Sequence, residues 1–381
     1  MTMPGRRWGA AFGLALMMTT ACGASDTVDA GREATAIRRT PTPDNEFTPM
    51  ELEATIDDLI AEINKGSIEP MQMTVLLKEL DGFFEPIATG AHRAMGELEV
   101  TGNVLGLNNR SGDVLESRKI QNQQIEQMVA DGAEAIGVSP VSEDDAAVAV
   151  INEAVAKGVH VVTLDSDLPA SNRALYVGTL NEAAGATAAR TLLPMLPRGA
   201  GTVMIHGNVG PEWRDGYDRT QGAKAVIEEA GYTALVTQVM FVGDSDAFDA
   251  DWMKSQIETA DPPVVGMLGL FNLSYRCVMA ADAAGKPELP IVAFDFDPKT
   301  VDYMRQGRIQ ATHTQRQYYE GYLVPYILYG IKAIGLDATR EILSPLMDEG
   351  DLERVNIGID VIPADKIDAY NAFLDTIGAI Q

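Results

Sequence analysis

The sequence predicts an α/β fold built from two doubly wound, parallel-sheet lobes. Three observations carry that expectation. From Met73 onward, short apolar runs of strand length alternate with amphipathic stretches of helical length, the succession that builds parallel sheets flanked by helices. The runs are too numerous for one comfortable open sheet. The pattern also restarts near Gly201, after a helix that ends at Pro194. The strand candidates are Thr74 to Leu77, Val104 to Leu107, Ala135 to Val138, His160 to Leu164, Ala174 to Val177, Gly201 to Ile205, Leu235 to Met240, Val264 to Leu268 and Ile291 to Phe294. Helices between them include Ser117 to Ala130, Asp144 to Ala156, Glu182 to Met195 and Asp218 to Ala230.

Ahead of this body the chain reads as an export signal and an anchor. Arg6 and Arg7 form a positive n-region, Gly9 to Met18 an apolar stretch, and Thr19-Thr20-Ala21 a small-residue cleavage site. The apolar stretch is shorter than the about 20 residues that span a bilayer. Cys22 directly after that site resembles a bacterial lipobox, with Thr19 where Leu is usual. Residues 1–21 are thus expected to be a signal peptide, Cys22 to be lipidated, and 22–47, polar and without hydrophobic period, to be a flexible tether. Thr48-Pro49-Met50-Glu51 has the form of a helix start, and Met50, Ile56, Leu59, Ile60 and Ile63 follow at helical spacing. A helix within 48–70 either packs on the body or serves a partner.

Composition excludes several function classes. The 381 residues carry 29 Lys and Arg against 55 Asp and Glu, a formal net charge of −26. The basic residues are scattered, so nucleic acid is not an expected partner. Only two cysteines occur; with Cys22 lipidated, Cys277 in its apolar helical run reads as a buried thiol without a disulfide partner.

In parallel α/β lobes, ligands collect at the carboxyl ends of strands, and the residues there are unusually polar. They include Glu79 to Phe84, Ser139-Pro140, Thr163 to Asp167, Gly178 to Glu182, His206 to Asn208, Phe271-Asn272, Phe294 to Asp297 and Thr312 to Gln315. Phe83-Phe84, Leu164-Asp165, Gly178 to Asn181, Arg219 with Gly222, Phe294-Asp295 and Gln315 occur in an order and spacing that resembles the ribose-binding-protein-like periplasmic sugar-binding family over about residues 73 to 330. The resemblance implies a type I periplasmic binding fold, its lobes joined by a three-segment hinge: lobe 1 at 71–179 plus 316–345, lobe 2 at 180–315 plus 346–381. It implies a monomer that closes on a small ligand and delivers it to a membrane ABC permease, with no cofactor. Asp165, Asn181, Arg219, Asn272, Asp295 and Gln315 would hydrogen-bond ligand hydroxyls, and Phe83 and Phe84 would pack on the ring.

The residue types suit a sugar or polyol on chemical grounds as well. Each hydroxyl donates and accepts, so a site needs carboxylates to accept and Arg, Asn and Gln to donate. Trp213 is a further candidate for the aromatic wall. The alternatives are core packing for the aromatic residues and helix capping for Asp165 and Asp295. Asp81 stands where the family commonly has Asn, Ser139 likewise, and Ser166 replaces a frequent Arg, which points away from ribose itself. Asp81 and Ser139 therefore complete the candidate ligand set. A sensor of the same fold that signals to a receptor or kinase shares every cleft residue.

Weaker constellations are set aside. Asp244, Asp246, Asp249 and Asp251 crowd one loop but lack the central Gly and late Glu of a calcium loop. His92, His160, His206 and His313 have no metal-ligand spacing, and there is no nucleophile elbow or phosphate loop to suggest an enzyme.

Overall fold

A computed structural model describes residues 36–108, 113–241 and 245–379. The expected signal peptide and Cys22 lie outside the described residues. After α1 (Met50–Ile63), the first lobe runs through β1 (Gln72–Leu76), α2 (Glu85–Glu97), β2 (Thr101–Leu105), α3 (Val114–Ala130), β3 (Ala135–Val138), α4 (Asp145–Ala156), β4 (His160–Leu164) and β5 (Leu175–Gly178). The second lobe follows with α5 (Asn181–Leu192), β6 (Thr202–Gly207), α6 (Arg214–Glu229), β7 (Thr233–Gln238), α7 (Ser245–Thr259), β8 (Val264–Gly269), α8 (Tyr275–Ala283), β9 (Ile291–Phe294), α9 (Pro298–Arg305) and β10 (Ala311–Thr314). The chain then returns to the first lobe as α10 (Gln317–Ile334), α11 (Leu336–Leu343), β11 (Met347–Asp348) and β12 (Asp351–Asn356). It finishes in the second with β13 (Asp360–Pro363) and α12 (Ile367–Thr376).

The two sheets have the same internal order. One reads β11-β12-β5-β4-β3-β1-β2 and the other β13-β10-β9-β8-β6-β7, so each contains a doubly wound 2-1-3-4-5 unit that switches direction between its first and third strands. All pairings are parallel except β11 with β12 and β10 with β13. The central strands are buried along their length, which is why they read as continuous apolar runs rather than alternating ones.

The expected lobe boundaries need one correction. β12 pairs in parallel with β5, Val355 opposite Val177, so 346–356 belongs to the first lobe and the third crossing lies between Asn356 and Asp360. The crossings therefore fall at 178–181, 314–317 and 356–360. The expectation for 22–47 also changes where it is described. Ile37 is buried and trades two hydrogen bonds with Asn64, and Arg39 ion-pairs with Glu53 and Asp57 of α1. Phe47 reaches the second lobe, with its ring edge-on to Tyr370 at 5.1 Å. From Ala36 this segment is a packed strap. α1 itself begins after Pro49, without a side-chain cap, and buries Leu52, Ile56, Leu59, Ile60 and Ile63, the body-packing alternative.

Glycine sets how closely two helices of the second lobe approach. A Cβ on Gly222 of α6 would run into the Glu182 carbonyl of α5, and one on Gly185 of α5 into the Arg219 carbonyl. That crossing holds Arg219 at the lobe boundary. Gly222→Val should therefore push the helices apart at a cost of about 1–3 kcal/mol or more. Gly96→Ala, with open space around its Cβ, should leave the melting temperature level or raise it. Thermal unfolding of the two variants checks this; equal midpoints would mean that the crossing is not tightly packed.

Candidate functional site

The fourth strand of each lobe's unit ends in an aspartate of left-handed backbone: Asp165 after β4 at φ 62° and Asp295 after β9 at φ 65°. Such a conformation is uncommon for a residue with a side chain, and Asp tolerates it better than most. Neither aspartate caps a helix. Asp297 caps α9, accepting from the Lys299 and Thr300 amides, and Asp167 is taken by Arg173, Thr163 and the Leu168 amide. The capping alternative is thereby removed.

Asp165 anchors the first-lobe wall. Its Oδ2 accepts from Lys78 Nζ and from Ser139 Oγ, each at 2.7 Å. Lys78 also donates to Ser166 Oγ at 2.6 Å and sits 5.8 Å from the Phe84 ring. Phe84 is buried, and Phe83 packs edge-on against it. Lys78 thus supplies a cation to Asp165 at the place where the resemblance leads one to expect an Arg after the aspartate. Asp81 is exposed and does not cap the short turn it begins, so the structure places it apart from this bonded group.

The second-lobe wall is organised by Arg219, 3% exposed. Its guanidinium donates to Asn181 Oδ1 at 2.7 and 3.0 Å, to the Leu270 carbonyl at 2.9 Å and to Gln315 Oε1 at 2.6 Å. It lies 4.2 Å from the Phe294 ring and 5.4 Å from that of Phe271. Gln315 Nε2 donates in turn to Asp295 Oδ1 at 2.8 Å, and Asp295 Oδ2 is 3.7 Å from Arg219. Asn272 contributes its backbone N–H to Asp295, where side-chain recognition was expected. Trp213 stacks on Phe271 at 4.9 Å, with Phe241 edge-on to both, forming an aromatic tier over the cation.

The two walls meet. Arg214 donates its backbone N–H to Glu143 Oε1 at 3.1 Å, joining the start of α6 to the first lobe, where a carboxylate also complements the helix terminus. Asp215 accepts from Asn181 Nδ2 at 3.1 Å and lies near enough to Asp165 to feel its charge. Burial, with Asp165 next, pushes the Asp215 carboxyl up to about 7. Burial likewise lifts Asp295 to about 6, with Arg219 opposing, and raises Glu320 far above the carboxylate range. Glu320 is buried on α10 beside Asp165, Lys78 and Asp215.

Sequence reasoning missed Lys78, Asp215 and Glu320. Lys78 was the findable one, because it lies within the strand-tip segment just before Glu79. The remaining constellations are structural. Asp246 and Asp249 bind Arg276, and Asp249 also holds His206, while Asp244 lies outside the described residues. His313 stacks on Phe294 and bonds Thr191 and the Ala293 carbonyl, with burial pushing it down to about 4. Cys277 is buried, its thiol pushed up to about 12 by desolvation.

The raised carboxyl makes a pH signature. Because the Asp215 pKa is higher folded than unfolded, its contribution favours the closed fold below about pH 4 and is lost as pH rises through about 7. Asp215→Asn does not titrate. The melting temperature of the variant, relative to the unsubstituted chain, should climb between pH 4 and 8, with Asp165, Lys78 and Glu143 as the facing charges. A difference flat in pH would show that this carboxyl is already solvated and ionised.

A family model described as a periplasmic binding protein domain matches residues 74–335. No curated protein matches the sequence. Among solved structures, an ABC transporter solute binding protein from Burkholderia graminis in complex with D-arabinose is 25% identical, with a TM-score of 0.64 over 79% of this chain and 97% of that one. AraP, an arabinose binding protein from Geobacillus stearothermophilus, is 24% identical with a TM-score of 0.62 over 79% and 99%. XylFII in the XylFII-LytSN complex is 21% identical, TM-score 0.61 over 78% and 99%, a likeness of fold.

Proposed function

This chain belongs to the periplasmic binding protein family, and from that premise we propose that it is an extracytoplasmic lipoprotein that captures a monosaccharide or related polyol between its lobes and delivers it to a membrane ABC importer. The observation that carries the reading is the pairing of Asp165 and Asp295, one from each lobe and near enough for the charge of Asp165 to act on Asp295, each in left-handed backbone and each backed by a cation, Lys78 and Arg219. Carboxylates that accept and a guanidinium, amides and an ammonium that donate are what a ring of hydroxyls requires. Phe83, Phe84 and the Trp213–Phe271 tier supply apolar faces for C–H edges. Similar chains that bind arabinose support the substrate class.

The chemistry is recognition by hinge closure, with no bond made or broken. Ser139 and Asn181 act as positioning residues, the first orienting Asp165 and the second fixing Arg219. Asn272, Gln315 and Asp81 complete the proposed ligand set, Asp81 from the exposed rim. Among the described residues no helix is long and apolar enough to cross a membrane, and in this reading attachment comes from lipid on Cys22. A second reading, a sensor handing its closed form to a membrane receptor, is favoured by the XylFII-LytSN complex, in which a similar chain is bound by a second protein.

Thermal-shift screening against monosaccharides and polyols tests the proposal. A ligand present at 100 times its Kd should stabilise the protein by about 2.7 kcal/mol, and Asp165→Ala should abolish that shift. A panel without any stabilising member would remove sugar capture. Fractionation of cells expressing Cys22→Ala should move the protein out of the membrane fraction; unchanged partition would refute the lipid anchor.

A further inference from the structure

The cleft carries more acid than a neutral sugar needs. Asp165 and Asp295 have Lys78 and Arg219 as counter-ions, and Asp215, Glu143 and Glu320 are added to the same electrostatic neighbourhood. Asp215 is the informative member. It is 7% exposed, and its Oδ1 accepts from Asn181. Its Oδ2 is buried without a hydrogen-bond partner, while the Ser166 hydroxyl lies close enough to the carboxyl to favour its ionised form. That hydroxyl already serves Lys78 and Asp165.

A buried carboxylate oxygen left without a donor is destabilising, so its retention here needs an explanation. Asp215 borders a small hollow of about 30 Å³, partly open to solvent, whose lining includes Glu143, Asp167, Arg214, Asp351 and Arg354. Asp167 is committed to Arg173. Glu143 accepts the Arg214 backbone N–H at 3.1 Å and feels the charges of Arg214 and Lys78. Arg214 and Arg354 also line it, but Arg214 turns to Asp218 and Arg354 lies over the Tyr176 ring, so Asp215 Oδ2 still lacks a donor, and a small charged donor answers both the hydrogen bond and the surplus of carboxylates.

We propose that the cleft is built for an amine-bearing sugar or polyol, whose ammonium group donates to Asp215 Oδ2 between Glu143 and Asp165 while its hydroxyls meet Asp295, Arg219 and Lys78. This rests on the sugar-capture reading above and narrows its substrate class. An ammonium there converts carboxyl desolvation into a charge-assisted hydrogen bond, which is stronger than one between neutral groups. Binding an already protonated amine also draws Asp215, held partly protonated by burial, into its ionised form, and the displaced proton goes to buffer.

Calorimetry on the mature chain with matched pairs, D-glucosamine against D-glucose, D-galactosamine against D-galactose and N-methylglucamine against sorbitol, tests the inference. At pH 6.5 at least one amine member should bind about 10-fold or more tighter than its neutral partner, and Asp215→Asn should shrink that ratio toward one. Repeating the titration in buffers of different ionisation enthalpy should show proton release with the amine and none with the neutral partner, a readout that stands even if the variant does not fold. Neutral members binding as tightly as amines, or equal proton release, would overturn the amine inference and leave sugar capture intact. Absence of binding by every member would overturn both.

Discussion

A buried guanidinium holds the candidate site in register. Arg219 is stripped of water between two aromatic rings, where an uncompensated charge would be prohibitive. Its compensation comes from three places at once: Asn181 just past the first crossing, Gln315 at the second, and the Leu270 carbonyl with Asp295 at the tips of β8 and β9. The same bonds that make the charge tolerable therefore tie two hinge segments to the second-lobe wall. A planar donor fork is suited to this, since each N–H has a fixed direction, whereas a lysine in its place would meet one acceptor and strand the others.

The two lobes repeat a single device. Each doubly wound unit ends its fourth strand in a left-handed aspartate, and each places a cation beside it. Uncommon backbone geometry persists where surrounding structure over-determines it. Here the over-determination is visible: Asp165 accepts from Lys78 and Ser139, while Tyr176 donates to its carbonyl at 3.2 Å; Asp295 is held by Gln315, the Asn272 amide and a bond from Thr312 to its carbonyl. Both carboxyls are thus held at a set angle by the fold itself.

What the sequence disclosed follows from how each signal is encoded. Buried parallel strands are apolar along their whole length, so Ala135–Val138 and Ile291–Phe294 were legible to the residue. Strand-tip polar residues are conspicuous against such runs, which exposed Asp165, Asp295 and Gln315. β12 was not legible, because Asp351, Glu353 and Arg354 are charged and the Leu352 between them is exposed, so the stretch resembles a loop. The third crossing was misplaced for that reason. Asp215 hid because an acid in the first turn of a helix is ordinarily a response to the helix terminus, and only the fold shows that this one faces another lobe. The strap from Ala36 to Phe47 looked unstructured since its few apolar residues have no period; Ile37 and Phe47 are single plugs into cavities made by distant segments.

That strap constrains how the hinge can work. Arg316, itself left-handed at φ 54°, bonds the Ile357 carbonyl and Asp360, so the second and third crossings are bound to each other and bend together. Behind them, the strap is fixed to the first lobe through Arg39 with α1 and through Arg93 of α2, which donates to the Thr40 carbonyl. At its other end, Phe47 is wedged among Tyr370 and Phe373 of the second lobe, and Glu46 pairs with Lys366. A rotation of one lobe against the other must carry this bridge with it or withdraw Phe47 from its two rings. The second course exposes an aromatic face, and aromatic pairs contribute about 0.5–1.5 kcal/mol beyond their buried area. A rotation of the lobes would therefore be opposed by contacts on the strap as well as by the bonds between the crossings.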